Sequence, residues 1–192
     1  IVDMFKHIQG FTGTPWNKDT YHRRLDCEPA EATDGESLHN LRNLVPHLIE
    51  NSETFKDVIT RIDLTPPRQA LIDCGGLMVG GTNKEIAESL LRHIKQDKNP
   101  KIKSIVFYHE GKQTLGFVDD TSDKFEIKPY KAEDINPEER FTFYDQEHTT
   151  GSDISQTENA CAIVTVSENV IQQKLFQSIW RMRGLSKSQS VD

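Results

Sequence analysis

Four short apolar runs, at 70–73, 104–108, 141–145 and 161–166, punctuate segments whose apolar residues recur at helical spacing. Runs of this length, bounded by polar or Gly-rich stretches, read as buried strands. Between the first two, Ile86, Leu90 and Ile94, with Ala87 and Leu91, make one stripe of a helix over 83–96. Thr82 and Glu85 have capping-box spacing at its start. Ile171, Leu175 and Ile179, with Phe176 and Trp180, predict a helix over 168–183 with Ser167 as N-cap. Upstream, Leu38, Leu41, Leu44, Val45, Leu48 and Ile49 follow helical spacing. Phe55, Val58, Ile59 and Ile62 share a face of a short helix, with Ser52 as candidate N-cap and a stop at Thr65, Pro66 and Pro67. Residues 6–15 read as a strand running into a Gly-containing turn, and 16–36 are polar and irregular. E-G-K-Q at 110–113 turns the chain into a further apolar run at 114–118, and a charged hairpin-like stretch follows.

Strands alternating with amphipathic helices predict an α/β fold, a largely parallel sheet flanked by helices. The chain divides into 1–36, a strand and turn leading out of a preceding domain; 37–67, a helical insertion; and 68–192, the α/β domain itself. In such sheets ligands bind at the carboxyl ends of the strands. Four segments follow strand candidates: G-T-P at 13–15, C-G-G at 74–76, H-T-T-G-S-D at 148–153 and S-E-N at 167–169.

The 192 residues suit one domain, or one with an appended subdomain. A net charge of −7 argues against a general affinity for nucleic acid or an anionic membrane, while leaving room for a local basic groove. Basic residues gather near the C-terminal end, at Lys174, Arg181, Arg183 and Lys187. Three widely spaced cysteines without a C-x-x-C favour reduced thiols over a disulfide or zinc framework. No apolar run approaches a membrane span and the first residues are not a signal peptide, so a cytoplasmic location is expected. The chain begins at Ile1 rather than Met, which suggests a fragment of a longer protein.

D-x-E-H at 145–148 has the form of the metal-binding box of a nucleotide hydrolase. Such a box works beside a phosphate loop, and the chain has no G-x-x-x-x-G-K-S/T, so no metal is expected here. The wider context is a strand, T-G-S-D at 150–153, another strand, then Q-x-x-x-R-x-R at Gln177, Arg181 and Arg183. This succession resembles the second RecA-like domain of superfamily 2 helicases and of the protein-translocation ATPase SecA. There a T-G-x-D-like loop precedes a Q-x-x-x-R-x-x-R helix; here the second arginine stands two residues after the first, not three. G-F-T-G-T-P at 10–15 resembles the T-G-T turn that closes their first domain. Over about 70–191 the chain also resembles the C-terminal region of very large fungal proteins, through L-I-D-C-G-G, F-Y-D-Q-E-H-T-T-G-S-D-I and W-R-M-R-G-L-S-K-S-Q-S-V. Those proteins are variously treated as helicase-like or as ubiquitin hydrolases.

The helicase- or SecA-like resemblance implies an interdomain ATP site, with a preceding RecA-like domain of the same protein as partner. Arg181 and Arg183 would supply charge to the γ-phosphate, since guanidinium is planar, always charged and bidentate. On a helix Arg181 lies about 40° from Gln177 and about 200° from Ile179. Arg181 and Gln177 are therefore expected to share an exposed face, with Gln177 orienting water or phosphate. Gly151 would allow close backbone approach, and Asp153 would accept from a ribose hydroxyl or an arginine. Thr12, Gly13 and Thr14 would couple the two domains. ATP and Mg²⁺ would belong to the full-length protein alone, and the chain is not expected to be active by itself. The motor's substrate would be nucleic acid or protein, and no membrane partner is implied.

Two alternatives stand beside this. In a ubiquitin-hydrolase-like cysteine protease, Cys74 would attack an isopeptide carbonyl, activated by His109 or His148, with Asp73 or Asp145 orienting the histidine. The nearest predicted helix start, Thr82, is well downstream of Cys74, whereas a nucleophilic thiolate benefits from a helix N-terminus. The other alternative is a non-catalytic interaction domain.

Overall fold

The structure, a computed structural model, describes residues 54–192 apart from 98, 100, 152–153 and 186–187. The expectations for residues 1–53, including Thr12, Gly13 and Thr14, lie outside the described residues, as does Asp153.

The elements in chain order are α1 (Phe55–Arg61), β1 (Arg68–Ile72), α2 (Asn83–Asp97), β2 (Ser104–His109), β3 (Lys112–Val118) and β4 (Phe125–Pro129). Then follow β5 (Arg140–Tyr144), β6 (Cys161–Val164), α3 (Gln172–Ile179) and β7 (Ser190–Val191). One seven-stranded sheet has the order β4-β3-β2-β5-β1-β6-β7. The five strands from β2 to β7 in that order are mutually parallel, while β3 and β4 add an antiparallel edge. The four apolar runs read as strands therefore lie in one sheet. β2 and β3 join through Glu110 and Gly111, with φ of 51° and 72°. Two consecutive positive values belong to the primed turns that match strand twist.

Along the central strands successive residues are buried on opposite faces, so each strand feeds two cores. Leu71, Ile105, Phe107, Phe141 and Phe143 pack under α1 and α2, against Phe55, Val58, Ile86, Leu90 and Ile94. Full burial of one such side chain contributes about 1.5–3 kcal/mol. Ala70, Ile72, Val106, Tyr108 and Tyr144 face the other way, toward Ile154, Ala160, Ile179 and Met182. The capping box of α2 forms as its spacing predicts: Thr82 N–H and Oγ1 donate to Glu85 Oε2 at 2.8 and 2.9 Å. These bonds also lower the pKa of the exposed Glu85 carboxyl. α1 is capped by Thr54 and Asp57. No described helix is long and apolar enough to cross a membrane.

α3 is shorter than the predicted 168–183 helix. Ile171 occupies its N-cap position with no side-chain cap bond, and Ser167 instead opens a turn closed by Val170 N–H at 3.1 Å. At the other end Arg181 and Met182 N–H donate to Ser178 and Ile179 carbonyls at 3.0 and 2.9 Å. This three-residue spacing tightens the chain and ends the α-helix before the arginines.

Candidate functional site at the carboxyl ends of the parallel strands

The connection from β1 to β2 passes over β5 to one side of the sheet, whereas that from β5 to β6 passes over β1 to the other, and the loops after β1, β5 and β6 meet beside β1. Ile72 pairs with Tyr144 in register, so Asp73 and Asp145 leave adjacent strands side by side. Asp73 N–H donates to the Tyr144 carbonyl at 2.8 Å. Each aspartate then organises its own loop.

Asp73 is 3% exposed. Its Oδ1 accepts from Leu77 N–H at 2.8 Å and from the Thr165 hydroxyl at 2.5 Å, and its Oδ2 accepts from Met78 N–H at 3.1 Å. Gly75 lies between these loops. A Cβ there would sit 2.8 Å from the backbone of Val166 and Ser167, so C-G-G serves the close approach of two loops.

Asp145 is also buried, and its Oδ1 accepts from Glu147 and His148 N–H at 3.0 and 3.3 Å. Asn83, the first residue of α2, donates from Nδ2 to Asp145 Oδ2 and to the Tyr108 carbonyl, both at 2.9 Å. His148 Nδ1 lies 2.9 and 2.8 Å from the two Asp145 oxygens. Its ring stacks on Tyr108, with centroids 3.8 Å apart and planes inclined by 9°. Asp145, Glu147 and His148 bring one potential metal-ligating atom each within 4.8 Å of one another.

Beyond this loop, the chain is tied back to β5 by side chains. Tyr144 OH donates to the Ile154 carbonyl at 3.2 Å, Gln156 Nε2 donates to Thr142 Oγ1 at 3.1 Å, and the Arg140 guanidinium donates to the Ser155 carbonyl and to Tyr130 OH. Burial lowers the Arg140 pKa and raises that of Tyr144 to about 12.

The sequence-derived residues fall unevenly around this region. Gly151 is exposed with φ +73° and open space where a Cβ would stand, so the position favours glycine through its backbone alone. Arg181 is 3% exposed, contrary to its expected place on an exposed helical face. It lies in the tightened turn after α3, where its charge acts on the Tyr144 phenol. Gln177 is partly buried and Arg183 is exposed, so the anticipated Gln177–Arg181 face does not form. Cys74 is wholly buried, out of reach of the isopeptide carbonyl that the thiol alternative would have it attack. Among the described residues it forms no hydrogen bond with a histidine; His109 instead tilts against Phe107. The thiol site is not assembled.

Asn83, Tyr108 and Thr165 carry no motif in the sequence, and Glu147 enters only through the D-x-E-H box. Their one local signal is position: each stands at a strand end, at a helix start or within the D-x-E-H box. Comparison with family models, with curated proteins and with solved structures finds no match to this chain.

Proposed function

We propose that this chain is the second RecA-like domain of a helicase- or SecA-like ATPase, completing an ATP site with a preceding phosphate-loop domain. The observation that carries the reading is the meeting of two motif segments on Tyr144. Its hydroxyl donates to the carbonyl of Ile154, just beyond T-G-S-D, and Met182, the neighbour of Arg181, packs in the same core. Ile154, Ile179 and Met182 share the core around it. The loop and the arginine-bearing turn thus belong to one unit, as cooperation at a single nucleotide requires. In this unit Arg183, which is exposed, reaches across the cleft to the γ-phosphate, and buried Arg181 holds the turn in place. A guanidinium so placed stabilises the charge that develops in phosphoryl transfer. ATP and Mg²⁺ are held mainly by the phosphate-loop domain, since no phosphate-loop sequence occurs in this chain.

The test is ATP turnover by the chain alone, by the preceding domain alone and by the two joined. Turnover by the joined form only is expected. Turnover by this chain alone, or equal turnover by the preceding domain with and without it, contradicts the reading.

A further inference from the structure

Asp145 and His148 have the geometry of an oriented acid–base pair. The carboxylate faces Nδ1 with both oxygens, at 2.8 and 2.9 Å, so Nδ1 carries the proton and donates it. A neutral imidazole then has its lone pair on Nε2. Tyr108 fixes the ring plane from one face, and Asn83 and two backbone N–H groups fix the carboxylate. The His148 side chain is 24% exposed, so its ring remains accessible to solvent.

The same bonds argue against a zinc centre. Asp145 already accepts from Asn83, from the N–H groups of Glu147 and His148 and from Nδ1, which leaves Nε2 and the exposed Glu147 carboxylate as the uncommitted donors. Two ligands fall short of the three or four protein donors that hold zinc.

We propose that His148, exposed beside the carboxyl ends of β2 and β5, is a proton acceptor for a hydroxyl-bearing ligand or a hydrolytic water, and that Asp145 is its positioning residue. In the step, the ligand O–H bond breaks, its electron pair stays on oxygen, and the proton forms a bond to Nε2. The imidazolium produced is offset by the Asp145 carboxylate, as in other carboxylate-oriented histidines. This rests on reading these strand ends as a ligand site, and it stands or falls independently of the ATPase assignment.

Two measurements on the chain test it. Long-range nitrogen–proton NMR of nitrogen-15-labelled histidine reads the tautomer: the proton of neutral His148 is expected on Nδ1, with that preference lost in Asp145→Asn and recovered in Asp145→Glu. Hydrolysis of p-nitrophenyl acetate is the chemical probe: acceleration by the chain, slower in heavy water and lost in His148→Gln, is expected. A proton on Nε2 in the wild-type chain overturns the proposal without any variant needing to fold. Hydrolysis unaffected by His148→Gln, or insensitive to heavy water, overturns it as well.

Discussion

The Thr165 hydroxyl donates to Asp73 Oδ1 at 2.5 Å and joins two loops whose residues are 92 apart in sequence. With two backbone N–H groups also bonded to the carboxylate, Asp73 holds the loop after β1 against that after β6. Asp73→Ala strands three donors in a buried place. The expected cost is about 2–4 kcal/mol in urea-induced unfolding, from unsatisfied buried groups. A change below about 0.5 kcal/mol, the usual range of a surface substitution, would show that water replaces the carboxylate freely.

Gly75 and Gly151 separate crowding from backbone strain. Gly75→Ala places a methyl group 2.8 Å from the Val166 and Ser167 backbone, which must move apart. A loss of about 1–3 kcal/mol is expected, in the range of overpacking. Gly151→Ala meets no neighbour and carries only the left-handed φ, for about 1 kcal/mol. Equal losses by thermal unfolding of the two variants would refute the contrast.

The pH dependence turns on Tyr144, whose pKa burial raises to about 12 from an ordinary value of 10.0. The unfolded phenol loses its proton first as pH rises, so the folded state binds the extra proton between about 10 and 12. Stability falls across that window by about 1.4 kcal/mol per pH unit from this group. Below pH 10 the contribution is fully present. Tyr144→Phe removes this share of the alkaline slope, and an unchanged slope in urea unfolding between pH 10 and 12 would place the sensitivity elsewhere.

Much of the fold was legible because its signals are local. The stripe of Ile86, Leu90 and Ile94 with the Thr82–Glu85 box gives α2, and the short apolar run over 141–145 gives a central strand. The end of α3 was not legible. Trp180 and Met182, one and three residues after Ile179, keep the apolar face of Ile171, Leu175 and Ile179 running, while the turn bonds to Ser178 and Ile179 end the helix where Ile179 and Met182 enter the core. That single misreading moved Arg181 from a buried turn to an exposed face. The candidate site was half legible. The strand ends were marked by C-G-G and H-T-T-G-S-D, but the Asp73–Thr165 and Asp145–Asn83 bonds span 92 and 62 residues and have no local signature.

The burial of Arg181 changes what its loss should do. Arg181→Ala empties a buried site beside Tyr144 and is expected to destabilise the chain by about 2–4 kcal/mol, as core truncations do. A change under about 1 kcal/mol by urea titration would restore the exposed-arginine picture.

Arg183 is the residue on which the ATPase account depends, and ATP turnover of the full-length protein carrying Arg183→Ala measures it directly. Turnover is expected to fall by about a thousandfold or more, with nucleotide affinity changed little, as when an arginine finger is removed. Because Arg183 is exposed, unfolding of the isolated chain should shift by no more than about 0.5 kcal/mol. Full turnover in Arg183→Ala, with the variant folded as the wild type, would contradict the account.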